Sequence, residues 1–308
     1  MGVVVPSVHR WFFSSVVEGV SAALLDGGYD LTLYNVGEDQ DRRHNVLNDF
    51  LLRKRVDAVI AVSLELSQTE IQQLLAIHRP IVGIGGPLPG ASTIRINDFG
   101  IAEAAANHLI GLGHTKIAHM TGDAAYQQDF RLPGTRQGGF EKAMNRAGQQ
   151  IRPEWQVSAD FTIQGAYASA RRLLGASAER PTAVFAASDE MAIGTILAAR
   201  DFGLRVPYDL SVIGIDGHEL GEVFGLTTID QDARGRVLSP SSSCCPGSRD
   251  GTKPGTRELA ETRSTRRSSS FARALRYLRW ARAHPCSSLP RRLPAGWPAG
   301  GRGPAPAP

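Results

Sequence analysis

Cysteine is missing from the first 243 of the 308 residues; the three present, Cys244, Cys245 and Cys286, all fall towards the C-terminal end. Most of the chain therefore carries no disulfide and no thiolate metal site, a usage that suits a reducing cytoplasm. No stretch approaches the ~18 consecutive apolar residues that a membrane-spanning helix needs, so no membrane partner is expected. The opening residues, Met1 to Pro6, have neither the basic region nor the long apolar region of a secretory signal. Gly-x-Gly-x-x-Gly, phosphate-loop and Gly-x-Ser-x-Gly patterns are all absent. The histidines, such as His9, His44, His78, His108, His114 and His119, lack metal-ligand spacing. These absences leave no catalytic residue, no cofactor and no metal to expect, and the chain does not read as an enzyme.

Charge divides the chain in two. Residues 1–236 hold 21 Lys and Arg against 27 Asp and Glu, a net −6, whereas residues 237–308 hold 13 against 3, a net +10. The overall charge of +4 thus hides a mildly acidic body and a basic tail. The tail has eight Leu, Val and Phe residues, no Ile, and ten of the chain's 18 prolines. Such a composition buries too little apolar surface to offset ordering entropy, so a solvated, disordered segment is expected. Nonspecific nucleic-acid binding through its positive charge is the alternative. A short basic helix over 271–283 is the one element the tail suggests.

The body alternates short apolar runs with helical patterns. The runs are Gly2–Pro6, Leu31–Val36, Ala58–Ser63, Pro80–Gly85, Ile94–Asn97, Lys116–Gly122, Ala183–Ser188 and Ser211–Asp216. Continuous apolar strands of this length are covered on both faces, as in a parallel sheet flanked by helices. Between them, Val16, Val20, Ala23 and Leu24 share one helical face, closed by Gly27 and Gly28. Asp41 is placed to cap a helix carrying Val46, Leu47, Phe50 and Leu51. Ile101, Ala105, Leu109 and Leu112 form a third stripe, and Met191, Ile193, Ile196, Leu197 and Ala198 a fourth. The fold class is α/β, with two doubly wound parallel-sheet lobes and a disordered C-terminal tail. The lobes are expected at 1–97 and 98–226, with 227–236 a truncated return to the first lobe and 237–308 the low-complexity tail. Open sheets of this kind bind ligands beyond the carboxyl ends of their strands, which directs attention to the residues there.

Five segments in order resemble one family. They are Val4 to Phe13 followed by Gly27 to Leu31, then Leu112 to Ala118, then Arg136 to Phe140, then Gly203 to Asp216, and finally Leu226 to Gln231. Together they resemble the ligand-sensing, periplasmic-binding-protein-like part of LacI/GalR transcriptional regulators. The resemblance implies a cytoplasmic protein whose two lobes close on a small effector, a sugar or sugar-like molecule. It implies a homodimer for an intact relative, formed in part by the helix after the first strand. A transport-type solute-binding protein of similar fold is the alternative.

The resemblance also places the effector. Arg136 matches the arginine that grips the ligand, and its forked guanidinium suits paired hydroxyls; a salt bridge at a helix start is the alternative. Asp216 ends an apolar strand and matches the aspartate that accepts hydroxyl hydrogen bonds, with helix capping as the alternative. Asp189 follows a strand and precedes a helix, where capping competes with ligand contact, and Ser188 stands just before it. Phe12 and Phe13 match aromatics that lie against the ligand, Phe13 being favoured, while Trp11 stands where many relatives have proline. Ser63 and Phe161 complete the set, the latter with core packing as its alternative. Asn97-Asp98 inverts the commoner order at the lobe crossover, and Ile215 and Gly217 depart from the usual neighbours of the aspartate; these changes bear on effector identity. His114 belongs to a joint motif and is expected to be structural.

Both ends depart from the family. Relatives carry a helix-turn-helix and hinge ahead of the first strand, which here begins one residue after Met1, so operator DNA is a partner only if a headpiece is supplied. Beyond residue 237 the chain does not resemble the helix and strands with which relatives complete their lobes. An out-of-frame C-terminal segment is expected to show itself in the gene as a helix-rich continuation in another frame.

Overall fold

The computed structural model describes residues 1–37, 40–47, 56–122, 132–175 and 179–235. The tail and its suggested helix, together with Phe50 and Leu51, lie outside these residues. Two five-stranded parallel sheets account for the architecture. The first is built by β1 (Gly2–Val5), α1 (Trp11–Asp26), β2 (Thr32–Asn35), α2 (Gln40–Asn45), β3 (Val59–Val62), α3 (Gln68–Ala76), β4 (Ile81–Ile84) and β5 (Ser92–Ile94). The second is built by α4 (Asp98–Gly111), β6 (Ile117–Gly122), α5 (Leu132–Arg146), β7 (Gln156–Ala159), α6 (Ile163–Gly175), β8 (Ala183–Ala186), α7 (Asp189–Asp201), β9 (Ser211–Asp216), α8 (Gly221–Phe224) and β10 (Thr227–Asp230).

The strand orders are β2-β1-β3-β4-β5 and β10-β9-β8-β6-β7. Numbered within its own lobe, the second sheet repeats the 2-1-3-4-5 order of the first. Each lobe therefore has one switch point, between its first and third strands, where successive crossovers run to opposite sides and leave a crevice.

Period-two alternation explains why the apolar runs are unbroken. In the first sheet Val3, Val5, Ile60 and Val62 pack towards α1, whereas Val4, Val59 and Ala61 pack towards α3. The second sheet sends Ala118, Met120, Val184, Ala186 and Val212 to one side, and Ile117, Ala183, Phe185, Ile213 and Ile215 to the other. Two glycines let the covering helices approach closely. A Cβ at Gly139 in α5 would lie 2.3 Å from the Phe99 carbonyl of α4, and one at Gly194 in α7 would lie 2.4 Å from the Ile163 carbonyl of α6. His114 ties strand starts together, its ring nitrogens facing the Thr182 and Ser211 hydroxyls at 2.9 Å each, and is structural as expected.

Several boundaries differ from expectation. Asp41 lies inside the first turn of α2 instead of capping it. The strand expected at Ile94–Asn97 is β5, which ends at Ile94, because Asn97 turns its side chain to the Gly100 amide (3.0 Å) and caps α4. β7, an edge strand of sequence Gln-Val-Ser-Ala, has no apolar run to announce it. Thr227–Asp230, expected to begin the return to the first lobe, pairs with β9 in the second sheet. The return follows it: Ala233 is buried in the first lobe's core, and the Arg234 carbonyl packs over Gly19 of α1.

His119 of β6 is fully buried between Phe140 and Phe185, with ring centroids 4.9 and 4.7 Å away. Its Nδ1–H donates to the Phe185 carbonyl at 3.1 Å. Burial pulls its pKa down to about 4, and nearby Arg136 pulls the same way. The unfolded chain thus takes up this proton near pH 6.5 while the fold resists it until about 4. Stability is expected to fall by about 3 kcal/mol through this group between those pH values. Urea unfolding at pH 7 and pH 4.5 checks it: His119→Phe should lose less stability across the interval than the wild type.

Candidate functional site

A cavity of about 920 Å³ lies between the lobes, lined from both. Its walls are the carboxyl ends of the strands. The first lobe contributes Pro6 and Ser7 after β1, Ser63 after β3, and Gly85 and Gly86 after β4. The second contributes Phe161 after β7, Ser188 after β8 and Asp216 at the end of β9. Both switch points open here, as the topology requires.

Backbone strain gathers at the same place. Ser63 (φ 43°), Phe161 (φ 59°) and Asp216 (φ 147°) all adopt conformations that L-residues rarely occupy. Each costs of order 1–3 kcal/mol and persists where the surroundings over-determine it. For Phe161 the reason is visible. Its ring lies against Gly122, where a Cβ would come within 2.0 Å of Cε2, so the ring is turned over the end of β6 and into the cleft.

Seven of the eight residues expected at an effector line the cavity: Phe12, Phe13, Ser63, Arg136, Phe161, Ser188 and Asp216. Phe12 and Phe13 meet edge to face at 5.4 Å. Phe13 also belongs to the first lobe's core, and Phe12 is the less buried of the two. Arg136 is almost completely buried and does both jobs considered for it. It borders the cavity, and it also donates through Nε and Nη2 to Asp98 Oδ1 (3.1 and 2.8 Å) and through Nη1 to the Ala187 carbonyl. Asp98 comes from the crossover, so the arginine is held where the lobes join.

Asp189 is the exception. Ser188 caps α7 by accepting from the Met191 amide at 3.3 Å, and Asp189 is the first residue inside the helix. Its carboxylate lies fully buried behind Asp216, accepting from the Thr228 hydroxyl at 2.7 and 2.8 Å and from the His218 amide at 2.8 Å. The sequence shows a carboxylate after a strand and before a helix, which is the pattern of a cap. The distant partners Thr228 and His218 are what pull it inward.

Asp216 accepts from the Asp189 amide at 3.3 Å and from Gln231 Nε2. Burial raises the pKa of Asp216, the neighbouring Asp189 charge raises it further, and Arg136 draws it part of the way back. Asp189 is raised as well, chiefly by burial. Residues not foreseen as effector contacts also line the cavity. Arg10 and Arg95 stand on the first lobe's side, and Asp160 and Glu190 on the second's. Burial pushes the Glu190 carboxyl up to about 7, while Arg10 opposes that rise. Taken singly the four read as ordinary surface charges; their place on the two walls of one cavity sets them apart. Among the described residues no group of His, Cys, Asp and Glu is placed to hold a metal ion.

The carboxyl pair makes a checkable statement about stability. Asp216 binds its proton more tightly in the fold than in the unfolded chain, so it stabilises the fold when protonated and loses that contribution as pH rises from about 4. Asp216→Asn, uncharged throughout, is expected to exceed the wild type in stability at pH 8 by about 1 kcal/mol or more, and to lose that advantage at pH 4. Urea titrations at the two pH values measure the difference.

Comparison with known proteins agrees with this geometry. Residues 106–236 match the model of a periplasmic binding protein-like domain. The HTH-type transcriptional repressor PurR of Vibrio vulnificus (strain CMCP6) is 34% identical over 243 residues, covering 76% of this chain and 70% of that protein. Among solved structures, a LacI family transcriptional regulator from Enterococcus faecium with bound ribose superposes with a TM-score of 0.66 at 28% identity, over 76% of this chain and 85% of that one. The transcriptional regulator CelR in complex with cellobiose has a TM-score of 0.66 at 29% identity, over 76% and 72%. No helix among the described residues is long and apolar enough to cross a membrane. With two sheets of one topology facing across a cleft, and relatives at this level of identity, the chain belongs to the LacI/GalR family of transcriptional regulators, of which it carries the effector-binding part.

Proposed function

We propose that the inter-lobe cavity is the effector site of a non-catalytic regulatory sensor, and that its effector is a small ring-shaped polyol, a carbohydrate. The observation that carries this reading is the lining itself. A buried guanidinium, a buried carboxyl group and phenyl rings from both lobes converge on one space of about 920 Å³. Phe12 and Phe161 offer apolar faces to the C–H side of a ring. Arg136 offers donors in a fixed plane, and Asp216 accepts hydroxyl hydrogens when ionised or donates one when protonated. Ribose and cellobiose in two of the structural relatives support a carbohydrate.

Effector binding would bias the relative orientation of the lobes, and in an assembled regulator that orientation would reach DNA. A homodimer, and operator DNA where a headpiece is supplied, are the partners this reading implies.

Isothermal calorimetry with a panel of ribose, cellobiose and adenine, a flat heterocycle serving as contrast, tests the reading. A sugar is expected to bind, and Arg136→Ala to weaken it roughly tenfold or more, the scale of a lost charged hydrogen bond. Circular dichroism confirms that the variant folds. Equal heats from wild type and variant would sink the site assignment, and binding of adenine alone would replace the sugar.

A further inference from the structure

Two contacts cross from lobe to lobe beside the cavity, and both end on Trp11. α1 starts there with no help from its own sequence: Arg10 at its N-cap makes no side-chain capping bond, and the first turn holds no acidic residue. The Trp11 amide faces instead the carboxylate of Glu190, the second residue of α7 in the other lobe, and Arg10 attracts that same carboxylate. The Trp11 indole stacks on His218, with ring centroids 4.6 Å apart and planes at 21°. His218 is itself fixed, its amide donating to Asp189 at 2.8 Å and its Nδ1 accepting from the Leu220 amide at 3.0 Å. One residue of the first lobe is thus gripped twice by the second, once by its backbone and once by its ring.

We propose that Trp11, clasped by Glu190 and His218, is an inter-lobe latch that favours the closed arrangement of the lobes and links the cleft floor to α1. A carboxylate at a helix N-terminus satisfies an orphan amide and complements the helix dipole. Supplied by another lobe, it does so only while the lobes are together. The latch is opposed from within. Trp11 Nε1 is buried without a hydrogen-bond partner, a cost relieved when opening admits water. Desolvation of Glu190 opposes closure too, and Asp160 repels it, whereas Arg10 attracts it. His9 and Asp216 border the same cavity, and Glu219 acts on His218. Opposed contributions narrow the gap between the two lobe arrangements, and a narrow gap is one that a ligand can shift.

The link to the cleft floor is short. Asp216 accepts from the Asp189 amide, and the Asp189 carboxylate accepts from the His218 amide, so a group held at Asp216 is two bonded steps from the Trp11 stack. This last connection rests on the cavity being the effector site; the latch does not.

Pulsed electron–electron double resonance on the full chain tests it, with the three cysteines replaced by serine and spin labels at Leu33→Cys and Tyr208→Cys. Both positions are exposed, and they lie in different lobes. Without effector, the wild type is expected to show one narrow distance distribution. Trp11→Ala, Glu190→Ala and His218→Ala should each add a population at longer distance. Glu190→Gln, which keeps the shape and a weaker acceptor, should shift less than Glu190→Ala, and His218→Phe, which keeps the stack, should stay closed. Unchanged distributions in Glu190→Ala and His218→Ala, with circular dichroism intact, overturn the latch; so does opening of His218→Phe to the same extent as His218→Ala. Should Trp11→Ala not fold, the Glu190 and His218 pairs carry the test alone. Since no effector is present, a calorimetric panel without heat would remove the effector assignment and leave this result standing.

Discussion

Asp189 and Asp216 bring two carboxyl groups into the same water-poor region at the base of the cleft. Burial raises the pKa of both, the Asp189 charge raises that of Asp216 further, and the pair demands donors from all around. The donors that answer are the Asp189 and His218 amides, the Thr228 hydroxyl and the Gln231 carboxamide. Each comes from a different part of the chain: the start of α7, the turn after β9, β10, and the segment that returns to the first lobe. Meeting one buried demand therefore fixes the relative placement of four elements, since a buried polar group left unmet costs more than a satisfied one gains. Arg136 completes the arrangement from α5, with Asp98 of the crossover as its own counter-charge.

The carboxyl pair sits at the carboxyl ends of the strands, with Asp216 closing β9 and Asp189 opening α7. Two sheets of 2-1-3-4-5 order place their switch points face to face, and the residues there escape the constraint of alternation within a strand. Their backbone is strained at Ser63, Phe161 and Asp216, and their side chains are polar where the strands behind them are not. The lobes also differ in charge at this surface. Arg10 and Arg95 stand on one wall and Asp160 and Glu190 on the other, and Arg10 attracts the Glu190 carboxylate.

Most of the fold was legible because apolar alternation and helix spacing depend on local sequence. Runs such as Val59–Val62 and Ala183–Ala186 are buried on both faces and read accordingly. β7 escaped because an edge strand packs one face against little and so tolerates Gln and Ser. Residues 227–230 were expected to return to the first lobe, yet as β10 they pair with β9, since pairing partners leave no local trace. Capping followed the same division. Asn97 and Ser188 cap their helices, yet Asp41 and Asp189, equally good by type, lie inside theirs.

The amino-acid sequence alone determined the α/β class, the two-lobed plan, the family motifs and seven of the residues that border the cavity. Each of those rests on a pattern within a few residues of chain, or on five segments in a set order. The tertiary structure decided the rest: that Asp189 turns away behind Asp216, that Arg136 is at once a cleft residue and an ion-pair partner, and that Arg10, Arg95, Asp160 and Glu190 border one cavity. Burial and long-range juxtaposition set those roles. A carboxylate's meaning depends on which donors reach it and how much water remains, and neither quantity exists before the chain has folded.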